Sequence, residues 1–175
     1  MEKSYKEIMH QITTFIFDVD GVLTDGTVTI FPNGELIRTM NTKDGFALKT
    51  AVDKGYHVCI ISGGTNDAVK MRLKGLGITE IYLGAHNKTD YMKEFLKNYN
   101  IDAENVLYMG DDLPDLPVME IAGLPACPKD AVQEVQNISK YISQKKGGKG
   151  CVRDVIEQVL KVQDKWLTSF DAKYF

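Results

Sequence analysis

Apolar residues in this chain collect in four short runs rich in β-branched and aromatic side chains: TTFIF (13–17), HVCII (57–61), EIYLG (80–84) and NVLYM (105–109). Between and after them the apolar positions take three- and four-residue spacing, which predicts helices over 44–54, 65–76, 87–99 and 115–122. Strands that alternate with helices are joined by crossovers and therefore pair in parallel. The pattern predicts an α/β fold with a doubly wound parallel, Rossmann-like sheet.

Two stretches interrupt the alternation. GTVTIFPNGELIRTMN (26–41) has two β-like arms around Pro32-Asn33-Gly34 and predicts a hairpin inserted after the first strand. QKKGGKG (144–150) reads as a flexible basic loop leading into a last helix over 151–167. No repeat, low-complexity tract or linker divides the chain, and 175 residues with 43% apolar content suit a single domain over 1–175.

A net charge of −3 supplies no long-range field for nucleic acid or an anionic membrane surface, so neither is expected as a partner. No run approaches the length of a membrane span, and ITTFIF is too short for a signal-peptide core, which predicts a cytoplasmic protein. Cys59, Cys127 and Cys151 are odd in number and lack C-x-x-C spacing, so neither a disulfide framework nor a zinc site is indicated. Cys59 reads as a core thiol; Cys151, after the glycines, reads as exposable. His10, His57 and His86 have no motif partners. The basic residues are 18 Lys and only three Arg (Arg38, Arg72 and Arg153), and a guanidinium can grip phosphate or carboxylate with two hydrogen bonds.

Candidate chemistry lies just past the strands. Asp18 and Asp20 stand at the end of the first, where open α/β sheets bind ligands, and Gly21 allows a sharp turn. Ser62-Gly63-Gly64 follows the second and reads either as a seat for phosphate oxygens or as a helix cap and turn. Asp111, Asp112 and Asp115 follow the fourth, as hard oxygen ligands suited to Mg²⁺ or as an acidic turn. Lys88 follows the third, where an ammonium could face a phosphate. Parallel topology brings all of these to one edge. Together they supply a carboxylate nucleophile, a second acid, phosphate donors and a metal site, the parts that phosphoryl transfer needs.

DVDGVLTDG, IISGG, Lys88 and GDDLPD resemble, in order, the four motifs of the haloacid dehalogenase superfamily of phosphatases. With the hairpin, NTKDG (41–45) and GGKGCVRDV (147–155), nearly the whole chain resembles its capless branch, the octulosonate phosphatases. The resemblance implies Mg²⁺-dependent hydrolysis of a small sugar-acid phosphate, 3-deoxy-D-manno-octulosonate 8-phosphate, in lipopolysaccharide biosynthesis. It implies that Asp18 attacks phosphorus while Asp20 protonates the leaving oxygen and later activates water. Asp18, the Asp20 carbonyl and Asp111 would hold the metal, with Asp112 or Asp115 behind them, and Ser62 and Lys88 would hold phosphoryl oxygens. The implied substrate contacts are Asp20, the loop Asn41, Thr42, Lys43, Asp44 and Gly45, then Lys49, Gly64, Arg72 and Lys88. Gly64 departs from the pattern: octulosonate phosphatases often carry Arg there, and their nine-carbon relatives Glu.

No interval between the motifs holds a cap domain, so selectivity calls for cover from another copy of the chain. The resemblance implies a homotetramer, with the hairpins paired around its axis and the Gly-rich tail, through Lys145, Lys146 or Lys149, at a neighbouring site. A solvated basic loop is the alternative for that segment. Trp166 and Phe170 read as packing residues. Competing functions are phosphate removal from a nine-carbon sugar acid and an inactive oligomerisation module. A P-loop kinase lacks its motif, and a receiver domain lacks an Asp at the end of the third strand.

Overall fold

The computed structural model describes residues 3–166. In chain order the elements are α1 (Tyr5–Met9), β1 (Thr14–Phe17), β2 (Thr29–Ile30), β3 (Leu36–Ile37), α2 (Thr42–Asp53), β4 (His57–Ile61), α3 (Asp67–Gly75), β5 (Glu80–Tyr82), α4 (Lys88–Tyr99), β6 (Val106–Met109), α5 (Leu116–Met119), β7 (Leu124–Cys127), α6 (Gln133–Ile138), β8 (Tyr141–Ile142) and α7 (Cys151–Val162). Six strands form one parallel sheet in the order β5-β4-β1-β6-β7-β8. The chain winds outward from β1 to β5, returns to β6 on the other side of β1 and winds outward again. That reversal opens a crevice at the C-terminal end of β1.

Both faces of the sheet are covered, which is why its strands are apolar runs without alternation. Phe15 and Phe17 face a layer formed by α1, α2, α3 and α7, whereas Ile16 faces α4, α5 and α6. On α7, Val152, Val155, Ile156, Val159 and Leu160 are buried at helical spacing and lay one stripe against the sheet.

The predicted doubly wound sheet and hairpin form, with differences at particular places. The sheet has two strands more than the four apolar runs: β7 contains Pro125, which disguises it, and β8 is only two residues long. The 41–45 stretch is the capped start of a helix instead of a loop, because the Asn41 side chain accepts the N–H of Lys43 and opens α2 at Thr42. The last helix ends at Val162, and residue 167 and Phe170 lie outside the described residues. Trp166 does pack, edge-on against Phe46. Cys151 is fully buried, its thiol 3.2 Å from the Val22 carbonyl oxygen, not exposed. Among the described residues, no helix is long and apolar enough to cross a membrane.

Candidate active site

β1 delivers Asp18 into the crevice. Its N–H donates to the Met109 carbonyl on the neighbouring strand, and its Oδ1 accepts the N–H of Val19 at 2.7 Å. The chain then turns through Gly21 at φ +85°, a conformation that favours glycine. A Cβ on Gly21 would sit 1.8 Å from Asp111 Oδ2, so the glycine also makes room for the acid arriving from β6. The buried Thr24 closes the turn: its hydroxyl oxygen accepts the N–H groups of Gly21 and Gly26 at 3.3 and 3.2 Å.

Lys88, at the first position of α4, places its ammonium 2.8 Å from both Asp18 Oδ2 and Asp115 Oδ1. Asp115 is completely buried and accepts four donors: Lys88, the Tyr108 hydroxyl at 2.8 Å, and the N–H groups of Asp111 and Asp112 at 3.0 and 3.4 Å. Burial alone would lower the Lys88 pKa, but the two carboxylates outweigh it and hold the ammonium charged.

Carboxylate oxygens of Asp18, Asp111 and Asp115 lie within 4.8 Å of one another. Burial, reinforced by Asp115, pushes Asp18 up to about 7 despite Lys88, and burial with the charges of Asp18 and Asp115 pushes Asp111 up to about 8. The donor set therefore fits a hard divalent cation, which relieves that repulsion. With Asp115 occupied by its donors, Asp18 and Asp111 are the carboxylates available to such an ion.

Asp20 is gripped by Arg38 on the hairpin arm, Nε to Oδ1 at 2.6 Å and Nη2 to Oδ2 at 3.1 Å. Ser62 is not a helix cap. Its hydroxyl oxygen accepts the N–H of Gly64 at 3.3 Å, and the helix opens later, at Asp67, capped by Asn66. Asp18, Asp20, Ser62, Gly64, Lys88, Asp111, Asp112 and Asp115 thus line one cavity of about 410 Å³. His86, without a motif partner in the sequence, lines it as well.

The remaining sequence candidates stand elsewhere in the chain. Asn41, Thr42 and Lys43 line a separate open depression of about 900 Å³, together with Lys145, Lys149 and Arg153. Asp44 is buried with one oxygen on the N–H of Arg153 and the other without a partner. Lys49 pairs with Asp53 along α2, and Arg72 lies against Gly45. The Gly-rich tail rests on its own chain: Gly148 N–H donates to the Val22 carbonyl at 2.9 Å, and a Cβ on Gly147 would lie 1.9 Å from the Gly21 oxygen.

Three residues at the site carried no assignment in the sequence. Tyr108 lies inside a strand run, Arg38 on a hairpin arm, and Thr24 between the acids of the first motif. Only the scarcity of arginine pointed toward Arg38.

A parallel sheet with an aspartate at the end of its central strand, a lysine bridging it to a second acid and a third acid beside both defines a family of hydrolases. The profile of the haloacid dehalogenase-like hydrolases matches residues 66–156, and the chain belongs to that family. Within it, the chain is 39% identical over 154 residues to the 3-deoxy-D-manno-octulosonate 8-phosphate phosphatase of Escherichia coli K12, covering 88% of this chain and 82% of that enzyme. The Moraxella catarrhalis phosphatase of the same name, solved with magnesium, phosphate and a KDO molecule, superposes with a TM-score of 0.89 at 32% identity, covering 92% of each chain. The cobalt-bound Haemophilus influenzae phosphatase superposes at 0.88 with 32% identity, over 95% of this chain and 94% of the other.

Proposed function

We propose that this chain is a Mg²⁺-dependent phosphatase that hydrolyses 3-deoxy-D-manno-octulosonate 8-phosphate to the free sugar acid and phosphate, in lipopolysaccharide biosynthesis in the cytoplasm. The observation that carries the reading is Asp18 at the end of β1, paired with Lys88 beside Asp111, in a chain 39% identical to an enzyme of that activity. Asp18, Asp111 and the backbone carbonyl of Asp20 would hold Mg²⁺, which would supply charge to offset the phosphoryl group and favour the ionised nucleophile. Asp18 then attacks phosphorus, and the ester bond to the sugar breaks as the departing oxygen takes a proton from Asp20 in its protonated form, one oxygen of which has first been freed from Arg38. Asp20 next takes a proton from water, whose oxygen attacks the aspartyl-phosphate, releasing phosphate and restoring Asp18. Lys88 and Ser62 hold the non-bridging oxygens, and Asp115 holds Lys88 in place.

Assembly follows from the open cavity. A homotetramer joined through the hairpins would cover each site with residues of a second copy, and Lys43, Lys49 and the tail lysines, which lie outside the cavity of their own chain, are the candidates to complete it. The deciding experiment measures phosphate release from eight-carbon, nine-carbon and neutral sugar phosphates, with and without Mg²⁺, for the wild type and Asp18→Asn. Mg²⁺-dependent turnover that prefers the eight-carbon acid and is lost in Asp18→Asn is expected. Preference for the nine-carbon acid would move the assignment to the related enzymes, and full activity in Asp18→Asn would end the mechanism.

A further inference from the structure

A second groove, largely apolar but carrying two arginines, opens beside the catalytic cavity. It holds about 280 Å³ and is lined by Arg38, Arg72, Asn66 and apolar residues, including Ile37 and Met40, with no acid among them. Two of the three arginines in the chain therefore face one small space. Among the described residues, no carboxylate lies within salt-bridge reach of Arg72, which leaves its guanidinium for a ligand. Asp20, Arg38, Ser62, Gly64 and Asn66 line a void of about 10 Å³, room for one water, between this groove and the catalytic cavity.

Arg38 stands at the junction. It spends its Nε/Nη2 edge on Asp20, and a guanidinium has five N–H donors, so the Nη1/Nη2 edge remains for a second anion. Its position is tied to Gly64: a Cβ there would lie 3.4 Å from Arg38 Nη2 and 3.5 Å from Asp20 Oδ2. The glycine leaves in front of the cavity a space that the arginine of the hairpin arm fills. Asp20 lines both the catalytic cavity and this void, and as the acid facing the oxygen that joins phosphate to sugar it would set the sugar of a bound substrate on the Arg38 side.

We propose that Arg38 is a specificity-determining residue that binds the carboxylate of the sugar acid in the groove it shares with Arg72, while its other edge positions Asp20. The inference rests on the sugar-acid phosphatase reading and adds the residue by which the acid is told from a neutral sugar. A carboxylate gains charge-assisted, two-point hydrogen bonds there, whereas a neutral sugar of similar size leaves that guanidinium edge unpaired.

The test compares octulosonate 8-phosphate with neutral arabinose 5-phosphate in the wild type, Arg38→Met, Arg38→Lys and the double variant Arg38→Met/Gly64→Arg. Arg38→Met is expected to lose about 10- to 100-fold in kcat/KM on the acid, chiefly through KM, beyond any loss on the neutral sugar. Arg38→Lys recovers part of the preference, and the double variant more, because position 64 has ordinary backbone geometry and opens on the same space. Equal losses on both substrates would show that Arg38 acts only through Asp20 and would overturn the proposal. A wild type inactive on the acid would instead overturn the functional reading, and this inference with it.

Discussion

Lys88 Nζ and Asp115 Oδ1 lie 2.8 Å apart in the interior, and Asp115 has every acceptor position filled. Such a buried pair adds little net stability but holds its members in one geometry, and breaking it leaves an uncompensated charge. Asp115→Asn turns an amide group toward either the ammonium or the two backbone N–H donors. Phosphatase activity is expected to fall at least ~100-fold, with ~3 kcal/mol lost in urea unfolding. Tyr108→Phe removes one donor of four and should cost about 1 kcal/mol with activity within ~10-fold. Equal effects from the two variants would show that Asp115 does not orient Lys88.

Gly21 and Asp111 occupy adjoining space so closely that a methyl group on the first displaces the second. Gly21→Ala carries a backbone cost of about 1–2 kcal/mol at positive φ, and it also pushes the Asp111 carboxylate off Asp18. The expected signature is a folded protein whose thermal midpoint no longer rises with Mg²⁺ and whose activity is down about 100-fold. An undiminished Mg²⁺ response would remove Asp111 from the metal site.

How far the site could be read in the sequence depended on how each residue is held. Asp18, Ser62, Lys88 and Asp111 each follow a strand run directly, so the parallel topology alone brings them to one edge. Arg38 meets Asp20 only because a hairpin folds back over the crevice, and Tyr108 meets Asp115 only because one strand position points its hydroxyl along the layer. Neither pairing has a local signal. The same holds for the fold: apolar runs mark β1, β4, β5 and β6, whereas β7 is masked by Pro125 and β8 is only two residues long.

Asp44 gives a pH dependence whose sign can be worked out. Burial, opposed by the N–H groups of Arg153 and Gly150, raises its pKa to about 6, against roughly 4 in an unfolded chain. Between those values the folded protein holds a proton that the unfolded chain has released, so this contribution to stability is lost as pH rises through 6. Asn at position 44 keeps the acceptor for Arg153 and does not titrate. In metal-free buffer Asp44→Asn should gain up to about 2 kcal/mol over the wild type at pH 8, roughly 4–8 °C in Tm, and the gain should vanish near pH 4. A difference independent of pH would mean that Asp44 stays charged throughout.

The hairpin bears directly on assembly. Ile30 is 71% exposed and Phe31 46%, and Val28, Leu36 and Ile37 are exposed too, on or beside a pair of two-residue strands. An isolated two-stranded ribbon is marginal in water, and an apolar one invites pairing with other edges. If the hairpins hold the proposed tetramer, Ile30→Lys/Ile37→Lys should yield a smaller species by light scattering with the thermal transition of the domain kept. Unchanged mass would place the interface elsewhere.

The Gly-rich tail can be tested apart from any neighbour. Gly147 packs so tightly on the Gly21 oxygen that an alanine would have to lift the 147–150 segment from the loop between Asp20 and Gly26, taking with it the bond from Gly148 to Val22. That loop carries Asp20, so Gly147→Ala should lower kcat at least ~10-fold, a size expected when a group near the chemistry is misplaced by a fraction of an ångström. Gly75, at the end of α3 with open space around it, is the control. Gly75→Ala should leave activity unchanged and raise stability by about 0.4–1 kcal/mol through the unfolded chain. If Gly147→Ala keeps full kcat, the tail does not brace the catalytic loop of its own chain, and its glycines serve the surface that Lys145 and Lys149 share with α2.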